Sequence, residues 1–142
     1  MPVTDAIQAI RYLLAHDDDV LALVSTRIYP MERPQGSATP AIAFALASAD
    51  HLHSTTGSCG TSEMQLTVTC YATLYRLAVE LADAVRRAID GFSGYVDAIR
   101  IHHCLLIDEA NELEPAAGIE QRATYSVRQL WQIDHSEVLP ST

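Results

Sequence analysis

The sequence predicts an α+β fold, an antiparallel sheet of mixed-length strands with an N-terminal helix and one long amphipathic helix packed on one face. Three observations carry that reading. Met64, Leu66, Val68 and Cys70 alternate with Gln65, Thr67, Thr69 and Tyr71, the period of a strand with one buried face. At Thr73 the period changes, and Leu74, Leu77, Ala78, Leu81, Val85, Ala88 and Ile89 recur at helical spacing. Further alternating runs flank this strand–helix pair, joined by loops and few crossovers, which favours antiparallel pairing.

Taken in order, Val3, Ile7, Ile10 and Leu14 form one apolar face of a first helix, with Thr4 as its expected N-cap and Asp5 in its first turn. Asp17, Asp18 and Asp19 cap a short second helix over 20–24; consecutive carboxylates diverge around a helix, so they read as a solvated start and not as a metal site. Arg27, Ile28 and Tyr29, closed by Pro30, read as a short edge strand. A loop over 31–40 follows, punctuated by Pro34, Gly36 and Pro40. Residues 41–48 alternate again and should pair antiparallel with 64–71. Between these strands, 50–60 is too polar for a core and too long for a tight turn, so it is expected as a mobile loop reaching out from the sheet. Thr73 is placed to cap the long helix and Gly91 to stop it. Gly91, Ser93 and Gly94 form a joint to a strand over 98–107, with Ile99, Ile101, His103 and Leu105 on one face and Arg100, His102, Cys104 and Leu106 on the other. An acidic connection over 108–118 leads to a last strand over 121–133, where Tyr125, Val127, Gln129, Trp131 and Ile133 share a face; Tyr125 and Trp131 are expected in the core, with a subunit interface as the alternative.

The 142 residues amount to a single domain, with 134–142 as a polar C-terminal tail. The net charge is -9, lysine is absent, and the nine arginines are spread from Arg11 to Arg128 without a dense patch. A protein that grips nucleic acid needs a cationic surface to displace counterions, so specific nucleic-acid binding is excluded as the main activity. No apolar run approaches the ~20 residues that span a bilayer, and no signal peptide is recognisable, so no membrane partner is expected. Cys59, Cys70 and Cys104 are an odd count without CxxC spacing, which fits free thiols in a reducing compartment.

Few residues are spaced for chemistry. His51, His53 and Cys59, with Asp50, are the nearest approach to a zinc site and define one alternative, a small metal-dependent hydrolase, though the spacing is not diagnostic. His103 and Cys104 are neighbours on a strand and point to opposite faces, while His102 and Cys104 share a face but lack an acidic orienter. Gly57 to Gly60 lacks the lysine and the helix of a phosphate cradle. No nucleophile, base and oxyanion site assemble together, so the chain reads as no enzyme and as needing no cofactor. A small-ligand module on the sheet face is a third reading, without a pocket signature.

Two motifs stand out in the chain. Arg27-Ile28-Tyr29-Pro30 is followed by Pro34-Gln35-Gly36 and by Pro40-Ala41-Ile42 opening a strand, and the run from Ala82 to Phe92 (ADAVRRAIDGF) closes the long helix. With the late Arg122, Tyr125 and Val127, they resemble the tail-completion proteins of long-tailed phages, also called tail terminators or head–tail joining proteins, including prophage and gene-transfer-particle members. The likeness runs from about 4 to 133. It implies a non-enzymatic virion protein at the tail–neck junction, assembled in the host cytoplasm as a homo-oligomer, a hexameric ring. That ring would cap the tail tube, end tail polymerisation and join the head-connector or stopper protein, with DNA passing through it. A neighbouring neck protein, a connector stopper or adaptor, is the alternative within assembly. Asp50, His51, Leu52, His53, Ser54, Thr55, Thr56 and Ser58 fall where the family extends a variable loop, and are expected to touch a partner; Arg27, Ile28 and Tyr29 offer a free strand edge at a subunit interface.

Overall fold

In a computed structural model, which describes residues 5–31, 38–54, 57–97, 99–114 and 123–137, the alternating and helical patterns become three helices and six strands. They run α1 (Ala6–Ala15), α2 (Asp18–Val24), β1 (Ile28–Pro30), β2 (Ala41–Ser54), β3 (Gly57–Ala72), α3 (Tyr75–Ile89), β4 (Gly94–Val96), β5 (Ile99–Glu114) and β6 (Thr124–Glu137). The strands form one sheet in the order β1-β2-β3-β6-β5-β4. Every neighbouring pair is antiparallel except β1, which runs parallel to β2.

The helices cover one face. α3 lies across β3 and β6, with α1 and α2 packed beside it. Its Ala78, Leu81, Ala82, Val85 and Ile89 are buried against Met64, Leu66, Val68 and Cys70 of β3 and Val127, Trp131 and Ile133 of β6. These are the alternations read from the sequence, and each large side chain removed from water there contributes about 1.5–3 kcal/mol. Trp131 is wholly buried, which assigns it to the core. The opposite face, where Gln65, Thr67, Thr69, Tyr71, Leu130 and Gln132 are half-buried and Ala43 and Ser126 are buried, carries none of the described helices.

One buried polar side chain ties the two layers together. Gln129 donates from Nε2 to the Ala82 carbonyl in α3 at 3.1 Å and to Glu109 Oε2 at 2.9 Å, and its Oε1 accepts from Trp131 Nε1 at 3.2 Å. A buried amide is tolerated because its groups are satisfied.

Several boundaries differ from expectation. α1 is capped by Asp5, whose Oδ1 accepts from the Gln8 amide at 2.8 Å; the expected cap, Thr4, lies outside the described residues. α2 is capped as expected, by Asp17 accepting from the Asp19 and Val20 amides at 3.1 Å. α3 begins one residue later than Thr73 would require, at an N-cap Leu74 without a side-chain cap bond. Gly91 sits at φ +75 just past the helix, the left-handed stop that its sequence position called for, and its N–H donates to the Cys104 carbonyl at 2.8 Å.

The larger differences are in strand length. The segment 50–60 is not a loop over most of its length: β2 and β3 continue into it as a hairpin arm, with Asp50 opposite Glu63, His51 opposite Ser62 and His53 opposite Ser58. Likewise 108–114 is no connection but the outer half of β5, paired with β6 from Asp108–Leu130 to Glu114–Thr124. The supposed tail continues as β6 to Glu137. The glycine joint after α3 holds the additional edge strand β4. A bulge between Ile101 and His103 resets the phase of β5, so Cys104 and Leu106 face the core with Ile101, while His103 and Leu105 turn outward.

Candidate functional surfaces

The chemistry-bearing residues of the sequence are scattered by this fold. Cys70 and Cys104 are free and buried. Burial pushes the Cys104 thiol up to about 12, with the Asp90 charge adding to it, and burial followed by the Glu109 charge pushes Cys70 up as well. Neither thiol is a nucleophile at neutral pH. Cys104 lies in the core, while the Nε2 of His102 lies 2.9 Å from Ser136 Oγ, a pairing hidden in the sequence because Ser136 falls within the expected tail. Among the described residues, no three His, Cys, Asp or Glu side chains stand together as potential metal ligands. Of the hydrolase set, the described backbone places His53 opposite Ser58 near the end of the arm.

What the described surface offers is edges, an arm and an open sheet face. The arm carries Asp50, His51, Leu52, His53, Ser54 and Ser58 along its two strands; Thr55 and Thr56 lie outside the described residues. Its ladder makes it a projection with a defined direction rather than a coil.

The predicted edge, Arg27, Ile28 and Tyr29, is the outer strand of the sheet, but its side chains divide. Ile28 is buried, 5% exposed. Arg27 donates from Nε to the Pro40 carbonyl at 2.8 Å and from Nη2 to the Leu23 carbonyl at 3.2 Å, clamping the end of α2 to the entry of β2. Tyr29 and the backbone are what this edge presents outward.

On the open face the registers draw charges together. Glu63 stands directly opposite Asp134, and Asp134 opposite His103, a row crossing β3, β6 and β5. Nearer the other end, Arg128 pairs with Glu112 at 3.0 Å, both about half-exposed, beside a shallow open depression lined by Thr67, Asp108, Ala110, Arg128 and Leu130. Exposed apolar side chains gather along the outer strands: Leu105, Ile107 and Leu113 on β5, Tyr95 on β4 and Leu46 on β2. Singly exposed apolar side chains of this kind are ordinary on a protein surface. No described helix is long and apolar enough to cross a membrane.

This architecture recurs in a virion. A chain of the structure "Virion of native gene transfer agent (GTA) particle" superposes with a TM-score of 0.67 at 16% identity, over 92% of this chain and 94% of that one. The likeness establishes the fold. None of the curated proteins matches the sequence.

The family follows from the sequence model of "Tail completion protein gp17", which matches residues 8–124. The chain belongs to that tail-completion family. It is thus a structural protein of the tail of a phage or phage-like particle, and works in contact with other virion proteins.

Proposed function

We propose that the protein is the tail terminator of its particle: a subunit of a homo-oligomeric ring, a hexamer, that caps the finished tail tube, stops further addition of tube protein and forms the joint to the head-connector or stopper protein. The observation that carries this reading is the tail-completion match across 8–124, which spans the helical layer from Gln8 on and five of the six strands. Three physical features support it. The sheet ends in strand edges on both sides, as a subunit with two neighbours requires. The net charge of -9 suits a wall past which DNA slides without being held. The arm formed by β2 and β3 gives the ring a projection with which to engage the tube or the connector, through residues such as His51, Leu52 and His53. On this reading the protein catalyses nothing and carries no cofactor.

The test joins two measurements on the full chain. Native mass spectrometry should report a closed oligomer, and imaging after mixing with growing tail tubes should report tubes halted at their end by a ring. Tubes that keep elongating in excess protein, from a species that stays monomeric, would sink the proposal.

A further inference from the structure

The two outermost long strands, β2 and β5, are each covered only at one end. β1 pairs with β2 at Ile42, Ala43 and Phe44 and no further. β4 pairs with β5 at Ile99, Arg100 and Ile101 and no further. Among the described residues, the outer backbone edge of β2 over 45–54 and that of β5 over 103–114 therefore have no strand beside them. The registers place the two covers at opposite ends of the sheet: Ile42 is level with Cys70, Val127 and Asn111, whereas Ile101 is level with His135, Ser62 and His51. Long open edges are a liability that proteins cover or guard.

We infer that the open edge of β5 takes the open edge of β2 from a second copy of this chain, so that the sheet continues head-to-tail from one subunit to the next. The inference rests on the ring reading and names the joint by which the ring closes.

The direction of the strands permits it. In the order β2-β3-β6-β5 every neighbour is antiparallel, so a copy carried round by rotation presents its β2 antiparallel to β5. The covers fix the stagger. The β1 of the incoming copy stands in line with β5 and must lie beyond Glu114, while β4 stands in line with the incoming β2 and must lie beyond Ser54. The span 45–54 then runs along 103–114, offset along the strands as closed sheets require. Apolar side chains are exposed on both partners, Leu46 on β2 and Leu105, Ile107 and Leu113 on β5.

Charge decides against the simplest rival. A two-fold pairing of β5 with another β5 would bring Asp108, Glu109, Glu112 and Glu114 against their own copies, and like charges facing across strands repel. It would also leave the edge of β2 uncovered. The span 45–54 carries one acid, Asp50, and two histidines, so it meets β5 with far less repulsion.

Ser48 and Ala110 are exposed and lie on the open face, through their partners Gln65 and Arg128, and this stagger brings them near one another across the joint. The test places Ser48→Cys and Ala110→Cys, singly and together, in a Cys59→Ser background, where Cys70 and Cys104 are buried, and treats assembled protein with a short bis-maleimide. The double variant should give a ladder of covalent oligomers ending at the ring. A mixture of the two single variants should give dimers, and each single variant alone should give none. Dimers from Ala110→Cys alone would overturn the inference in favour of a two-fold β5 contact. Hydrogen exchange on the unmodified protein is the check free of substitution: amides over 103–114 should lose exchange on passing from monomer to ring. Rings that cap tubes while those amides exchange as in the monomer would overturn the joint and leave the ring standing, whereas absence of any ring would overturn both.

Discussion

Replacing Gln129 with leucine is expected to destabilise the fold by about 2 kcal/mol, although the change puts an apolar residue into an apolar core. The side chain is fully buried and makes three hydrogen bonds, to the Ala82 carbonyl, to Glu109 and from Trp131. Their losses are unequal. The Ala82 carbonyl lies within α3, where the backbone amide four residues on also reaches it. Glu109 is exposed and returns to water. The indole N–H of Trp131 has no such recourse, because the ring is wholly buried, and a buried orphan donor costs about 1–3 kcal/mol. For a chain of this size the loss corresponds to a fall in Tm of roughly 6–8 °C.

A cycle with Trp131→Phe isolates the term. That single change strands the Gln129 oxygen instead and is expected to cost a similar amount plus the lost ring volume, while the double variant removes both orphans and should be no worse than the costlier single change. Urea unfolding followed by circular dichroism gives all four corners of the cycle. Trp131 is the only tryptophan, so its fluorescence supplies an independent probe for Gln129→Leu. A midpoint for Gln129→Leu indistinguishable from the parent, or strictly additive losses in the double variant, would refute the claim that this amide joins the layers.

The two core thiols predict an alkaline weakness. Because burial raises Cys104 from 9.0 to about 12 and raises Cys70 as well, their contribution is fully present below about pH 9 and falls above it as the unfolded chain ionises first, by roughly 1.4 kcal/mol per pH unit for each thiol. Urea midpoints between pH 8 and 10.5 should fall less steeply for a Cys70→Ala, Cys104→Ala variant compared with its own value at pH 8, and equal slopes would dismiss the effect. Glu63→Gln, which removes one of two carboxylates facing each other across β3 and β6, should stabilise by about 0.2–1 kcal/mol in the same assay; a loss would mean that Glu63 has a favourable partner. Replacing 52–60 by an Asn-Gly turn should leave Tm nearly unchanged and abolish tube capping, and capping that survived would move the contact from the arm tip to the body of the sheet.

The sequence disclosed the parts of the sheet that lie under helices and little of what extends past them. Alternation in 64–71 and 125–133 is visible because Leu66, Val68, Val127 and Trp131 are driven to one face by burial. At Asp50-His51-Leu52-His53 and at Asp108-Glu109-Ala110-Asn111-Glu112 the chain is just as much a strand, but its residues are mostly polar, so the ladder leaves no hydrophobic period to read. The bulge at Ile101/His103 misled differently: one inserted residue moved Cys104 into the core and His103 out of it, which strict alternation forbids. The candidate surface suffered from the same cause. Arg27 and Ile28 read as edge residues by position, yet the side chains are engaged inward, and the long open edge of β5 was concealed within what looked like an acidic loop.

Charge supplies a test that separates assembly from nucleic-acid binding without any mutation. Copies that each carry a net charge of -9 repel one another at every separation within the screening length, and ring closure brings them into contact. That length shrinks from about 30 Å at 0.01 M ionic strength to about 8 Å at 0.15 M. Added salt removes much of the repulsion, while backbone hydrogen bonds and apolar contacts such as those available to Leu46, Leu105 and Ile107 are not weakened by it. The ring should therefore form at lower protein concentration as salt rises over this range, read by sedimentation velocity. Binding to phosphates would do the reverse, because it is driven by the release of counterions and weakens steeply with salt. A ring that dissociates as salt rises would mean that specific opposite-charge pairs across the interface outweigh the net repulsion. The acidic edge over 108–114 would then have to meet arginines of its neighbour in place of a bare strand edge.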